Sequence, residues 1–154
     1  MSISNKTIAP PVIGPMDLLG IEGKIILIEG YDNMMDDLEN TIKDKCNIIL
    51  SASPNNLSNL ELPSSVHVQI KSIYSAVKIM RACTVDIDNF IIDRIDMLDL
   101  NVNKRVRGSQ IKAYLSMLSP KILRSRNLIV TSCQHEYTIR NIADKYISLR
   151  TQTK

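Results

Sequence analysis

Tryptophan is absent from the chain and phenylalanine occurs once, so aromatic residues make up only 4% of it. A core without large rings has to be aliphatic, here chiefly Ile and Leu. Cysteine occurs three times. Cys46, Cys83 and Cys133 are widely separated and form no C-x-x-C pair, which points to reduced buried thiols rather than a metal or redox site. His67 and His135 stand far apart and complete no Ser-His-Asp or Cys-His arrangement. Cys133 and His135 would share one face of a strand, without a third partner. No apolar run approaches the roughly 20 residues that cross a bilayer. The N-terminus shows no signal-peptide pattern, so a soluble, cytoplasmic protein with no membrane partner is expected. Neither sign of charge dominates: 19 basic against 16 acidic residues leave +3, too little to argue nucleic-acid binding by itself.

What is present is ordinary globular material, 44% hydrophobic and 23% charged over 154 residues. That length suits one domain with a sizeable core. Pro10, Pro11 and Pro15 hold residues 1–15 extended and exclude a helix, so this segment is expected to be an arm ahead of a single domain over 16–154. Apolar runs predict strands over 24–29, 47–51, 66–70, 89–95, 128–132 and 146–149. Helical spacing marks Met34, Met35, Leu38 and Ile42, then Ile73, Ala76, Val77 and Met80, then Ile111, Tyr114, Leu115, Leu118 and Ile122. Between the fourth strand and the last of these helices lies a basic segment, 103–108, expected to be a loop. Strands alternating with helices predict an α/β fold, a mostly parallel sheet flanked by helices on both faces.

The run Asn89-Phe90-Ile91-Ile92-Asp93 reads as a buried parallel strand that carries a carboxylate to the sheet edge. Such a carboxylate holds the magnesium of a bound triphosphate in many nucleotide-hydrolysing α/β proteins. Leu18-Leu19-Gly20 and Glu22-Gly23-Lys24-Ile25-Ile26-Leu27-Ile28-Glu29-Gly30 resemble the entry to the ATPase core of RecA/RadA recombinases and their KaiC-type relatives. The strand ending at Asp93 resembles their Walker B strand. Arg107-Gly108-Ser109-Gln110 and the stretch from Asn127 to Gln134 resemble the first DNA-binding loop and the strand ending in Thr-x-x-Gln. The resemblance spans about residues 16–150 and implies a RecA-like three-layer sandwich. It makes Gly30, Asp93 and Gln134 the remnants of a nucleotide site.

The departure lies after the first strand. A phosphate loop needs G-x-x-x-x-G-K-[ST], whose backbone N–H groups, lysine and hydroxyl hold phosphate and magnesium. Here Gly30 is followed by Tyr31-Asp32-Asn33-Met34-Met35-Asp36-Asp37. Like charges ~4 Å apart cost about 4 kcal/mol at an effective dielectric constant near 20, so these carboxylates oppose a triphosphate. The expectation is a degenerate, non-hydrolysing relative, not an enzyme, with no cofactor and no bound metal. The resemblance implies action in DNA repair or recombination, through protein partners (a recombinase, or further copies of this chain) and DNA. Lys104, Arg105 and Arg107 are the candidate DNA-binding residues; no aromatic is interleaved among them for base stacking. Two other classes stay open: an atypical nucleotide-binding ATPase or sensor, and an assembly protein with no ligand.

Overall fold

A strand paired in parallel on both sides is covered on both faces, so it needs apolar side chains at consecutive positions rather than alternate ones. Four segments meet that requirement: β1 (Ile25–Glu29), β2 (Asn47–Ser51), β4 (Asn89–Asp93) and β5 (Asn127–Ser132). Two more polar strands, β3 (Ser65–Gln69) and β6 (Lys145–Ser148), complete the sheet at its edges. The computed structural model describes residues 25–31, 34–53, 62–118 and 127–149. The arm expected over 1–15, the turn at 16–20 and Ile122 lie outside them.

The strand order is β3-β2-β4-β5-β1-β6 and every pairing is parallel. The α/β expectation is met, with a sheet that is wholly rather than mostly parallel. In register, Ile91 lies between Ile49 and Ile129, and Leu27 lies opposite Val130. Successive side chains of each central strand enter opposite layers. Ile26, Ile28, Ile49, Ile91 and Ile129 meet Met34, Met35, Leu38 and Ile42 of helix α1 (Met34–Ile42). Leu27, Leu50, Phe90, Ile92, Leu128 and Val130 face the other layer. That layer holds α2 (Ile73–Ala82), α3 (Lys104–Ser116) and α4 (Tyr137–Ile142). The single phenylalanine, Phe90, is fully buried there.

Three details differ from the sequence expectation. The basic segment is the first turn of α3 rather than a loop: the Asn103 side chain accepts the Val106 N–H at 3.0 Å and caps the helix. Gly108 lies within that helix, where a Cβ would come 3.1 Å from the Thr138 hydroxyl. The strand expected over 89–95 stops at Asp93, because Arg94 turns left-handed (φ 59°) into a 3-10 turn over Ile95–Met97. The link between the last two strands contains α4, too short to announce itself by periodicity.

At the opposite, amino edge Asn47, Asn89 and Asn127 stand side by side on β2, β4 and β5. Asn89 donates to the Asn47 side-chain oxygen at 2.8 Å and accepts from Asn127 at 3.3 Å. This ladder rewards one register and penalises slippage. Asn89→Ala strands a buried acceptor on Asn47 and a donor on Asn127. It should cost about 2–3 kcal/mol, read as a lowered urea midpoint with an unchanged m-value.

Candidate functional site

In open α/β sheets ligands bind outside the carboxyl ends of the strands, where neighbouring connections leave to opposite faces. Here β1 and β5 are neighbours; β1 leads to α1 on one face and β5 to α4 on the other. The strand ends at this point are polar although buried. β1 ends on Glu29 (0% exposed), β4 on Asp93 (6%) and β5 on Thr131 and Ser132 (both 0%). Glu29 pairs in register with Ser132, and the Gly30 N–H donates to the Ser132 carbonyl at 2.9 Å.

A buried carboxylate has to be supplied with donors. Glu29 accepts the Glu136 N–H at 2.8 Å and the Tyr146 hydroxyl at 2.9 Å, and Nδ1 of His135 lies 3.3 Å away. Glu136 accepts the Ser132 hydroxyl at 3.0 Å and the Arg107 Nη1 at 3.1 Å. Arg107 then donates from Nη2 to the Ile95 carbonyl at 2.6 Å and from Nε to the Leu98 carbonyl at 3.3 Å. Asp93 accepts the Thr131 hydroxyl at 2.9 Å, and the same hydroxyl accepts the Arg94 N–H at 2.8 Å. Asp96 takes both ends of the Arg94 fork, at 3.1 and 2.8 Å, and the Cys133 N–H at 3.2 Å.

These environments push two acids in opposite directions. Burial works against ionised Asp96, but the Arg94 guanidinium and the Cys133 N–H outweigh it and hold the carboxyl below its ordinary value. Burial dominates at Glu136 and raises it, against the opposing pull of Arg107 and Ser132. Across the crevice, burial together with the hydrogen bond to Asp37 and the nearby Asp36 charge pushes the Tyr31 phenol up to about 12.

Gly30, Asp93 and Gln134, taken from the sequence as remnants of a nucleotide site, stand at the ends of three adjacent strands at this edge. The space beside Gly30 is filled: a Cβ there would meet the Leu149 Cβ at 3.0 Å and the Met34 sulfur at 3.1 Å. Asp36 is exposed, Asp37 binds the Tyr31 hydroxyl, and Asp32 lies outside the described residues. The three candidate DNA-binding cations are divided. Lys104 and Arg105 are exposed on the first turn of α3, whereas Arg107 faces inward to Glu136. Glu29, Glu136 and Tyr146 were not singled out from the sequence. The one signal for the first was an apolar strand ending on an acid, the same signal that pointed to Asp93.

A cavity of about 650 Å³ opens beside this network, lined among others by Asp96, Lys104, Arg107, Gln134, His135 and Tyr137. His135 stacks on the exposed Tyr137 ring with centroids 5.6 Å apart. Among the described residues no group of three or more His, Cys, Asp or Glu side chains is placed to hold a metal ion. No helix among them is long and apolar enough to cross a membrane. Neither a protein-family model nor a curated protein sequence matches the chain.

Arg107→Met leaves Glu136 buried without its cation and should cost roughly 3 kcal/mol, more at pH 8 than at pH 5 because the unpaired carboxylate is then ionised. The two shifted acids give opposite slopes. Asp96 stabilises the fold above its unfolded value of about 3.9 and loses that contribution as pH falls through its lower folded value. Glu136 favours the fold most below its unfolded value of about 4.3 and loses that contribution as pH rises through its higher folded value. In urea titrations across acid pH, Asp96→Asn should flatten the acid limb and Glu136→Gln the decline above it.

Proposed function

We propose that the protein is a non-hydrolysing relative of the RecA/RadA recombinases, with a RecA-like sandwich, that acts in DNA repair or recombination through DNA and a protein partner. The observation that carries this reading is the convergence of Gly30, Asp93 and Gln134 at one sheet edge, at the carboxyl ends of β1, β4 and β5. Those are the three strands whose ends a recombinase ATPase core brings to its nucleotide. Two contacts support loss of hydrolysis. Met34 and Leu149 crowd Gly30 where a phosphate loop would leave its backbone open, and Asp93 is bound by Thr131. DNA binding then rests on exposed cations that neutralise phosphates, a salt-dependent interaction without base readout.

Fluorescence anisotropy with labelled DNA at two salt concentrations tests this, using the wild type and Lys104→Glu/Arg105→Glu, with and without magnesium-ATP. Arg107 is left intact because it is part of the fold. Binding should weaken with salt, fall about tenfold or more in the double variant and ignore ATP. No binding at low salt would overturn the DNA reading, and ATP-dependent binding would overturn the loss of nucleotide chemistry.

A further inference from the structure

The small net charge conceals a segregation. α2 carries Lys78 and Arg81, α3 carries Lys104, Arg105, Arg107 and Lys112, and neither helix contains an acidic residue. All of these except Arg107 are exposed. The helix on the opposite face, α1, carries Asp36, Asp37 and Glu39 and no basic residue. Because α2 and α3 cover the same sheet face, their cations add up to one positive surface.

Two tyrosines far apart in sequence meet on that surface. Tyr74 of α2 and Tyr114 of α3 have ring centroids 5.6 Å apart at an interplanar angle of 50°. Tyr74 is 48% exposed, and the Lys78 ammonium sits 5.5 Å over its ring. Beside Tyr114 runs a groove of about 380 Å³ lined by Arg105, Val106, Ser109, Gln110 and Ala113. On a helix, Arg105 and Tyr114 are separated by about 13 Å at 1.5 Å per residue, so phosphate and base contacts can alternate along it.

Tyr74 is exposed, Tyr114 is half-buried against the core, and the carboxylate bound at the start of α2, Asp99, is held by the Ile73 N–H at 2.9 Å. Cations next to such rings form the chemistry that holds single-stranded nucleic acid: phosphates pair with Lys and Arg while bases stack. A duplex keeps its bases stacked on one another and has no use for the tyrosines. We infer that the α2–α3 face, centred on Tyr74 and Tyr114, is a binding surface for single-stranded nucleic acid. This rests on the proposed DNA-binding function and extends its contact from the first turn of α3 across the outer helical layer. Arg105 belongs to this surface, joined by Lys78, Arg81 and Lys112.

The test is anisotropy of labelled oligothymidine and of a duplex of equal length, with polyphosphate as a competitor that lacks bases. Tyr74→Leu/Tyr114→Leu keeps apolar bulk and removes the stacking faces. It should weaken oligothymidine binding about five- to a hundredfold and leave duplex binding unchanged. Tyr74→Phe/Tyr114→Phe should bind oligothymidine like the wild type. Lys78→Gln/Arg81→Gln should weaken both nucleic acids and lower the single-strand salt slope by about 0.7 for each lost phosphate contact. Thermal midpoints of all variants report folding, and polyphosphate competition against the wild type carries the test if the leucine variant unfolds. If wild-type protein binds DNA but the leucine variant binds oligothymidine equally well, the stacking surface is refuted while the DNA reading survives. Polyphosphate competing as well as oligothymidine would refute it in the same way. Wild-type protein that binds neither nucleic acid would refute both.

Discussion

A carboxylate with no exposure to water, at the end of a central strand, has to be compensated by the protein. Leaving it uncompensated costs several kcal/mol. Glu29 imposes this demand, and much of the carboxyl edge follows from it. The Tyr146 hydroxyl ties the edge strand β6 to β1, and the Glu136 N–H fixes where the chain leaves β5 for α4. Glu136, drawn into the interior, then needs Arg107, and Arg107 pins α3 to the turn that follows β4 through the Ile95 and Leu98 carbonyls. One buried carboxylate thus links four elements that also meet in a common apolar layer.

The same network divides the basic residues. Arg107 is structural: its guanidinium has three protein acceptors and a side chain mostly out of water. Lys104 and Arg105, three and two positions earlier on the same helix, remain exposed. Adjacent like charges in a sequence therefore divide into one that holds the fold and two that face solvent. That division follows helical geometry, because only one side of α3 can face the sheet. The acids divide in the same manner, with Glu29, Asp93 and Glu136 inside the carboxyl edge and Asp36 on the exposed side of α1.

The central strands were legible because parallel pairing demands long apolar runs, and Ile25 to Ile28 or Phe90 to Ile92 have no other economical use. The start of α3 was not. Gly108 costs about 1 kcal/mol in a helix, and beside Lys104, Arg105 and Arg107 it resembled a loop. The Asn103 cap and the close approach of Thr138 offset that penalty, and only the second of these needs the folded chain. α4, a helix of six residues, was hidden for a different reason: it buries one side chain, Ile139, and a single contact makes no period.

Composition and apolar periodicity, which are local properties, by themselves determined an aliphatic α/β protein with buried central strands and flanking amphipathic helices. Tertiary structure alone decided which charges meet. Glu29 with Tyr146, Glu136 with Arg107, and Tyr74 with Tyr114 are pairs distant in the chain that the strand order brings together. The distinction is physical. Burying an apolar side chain needs no particular partner, whereas a buried charge or a stacked ring needs a specific group at a specific distance.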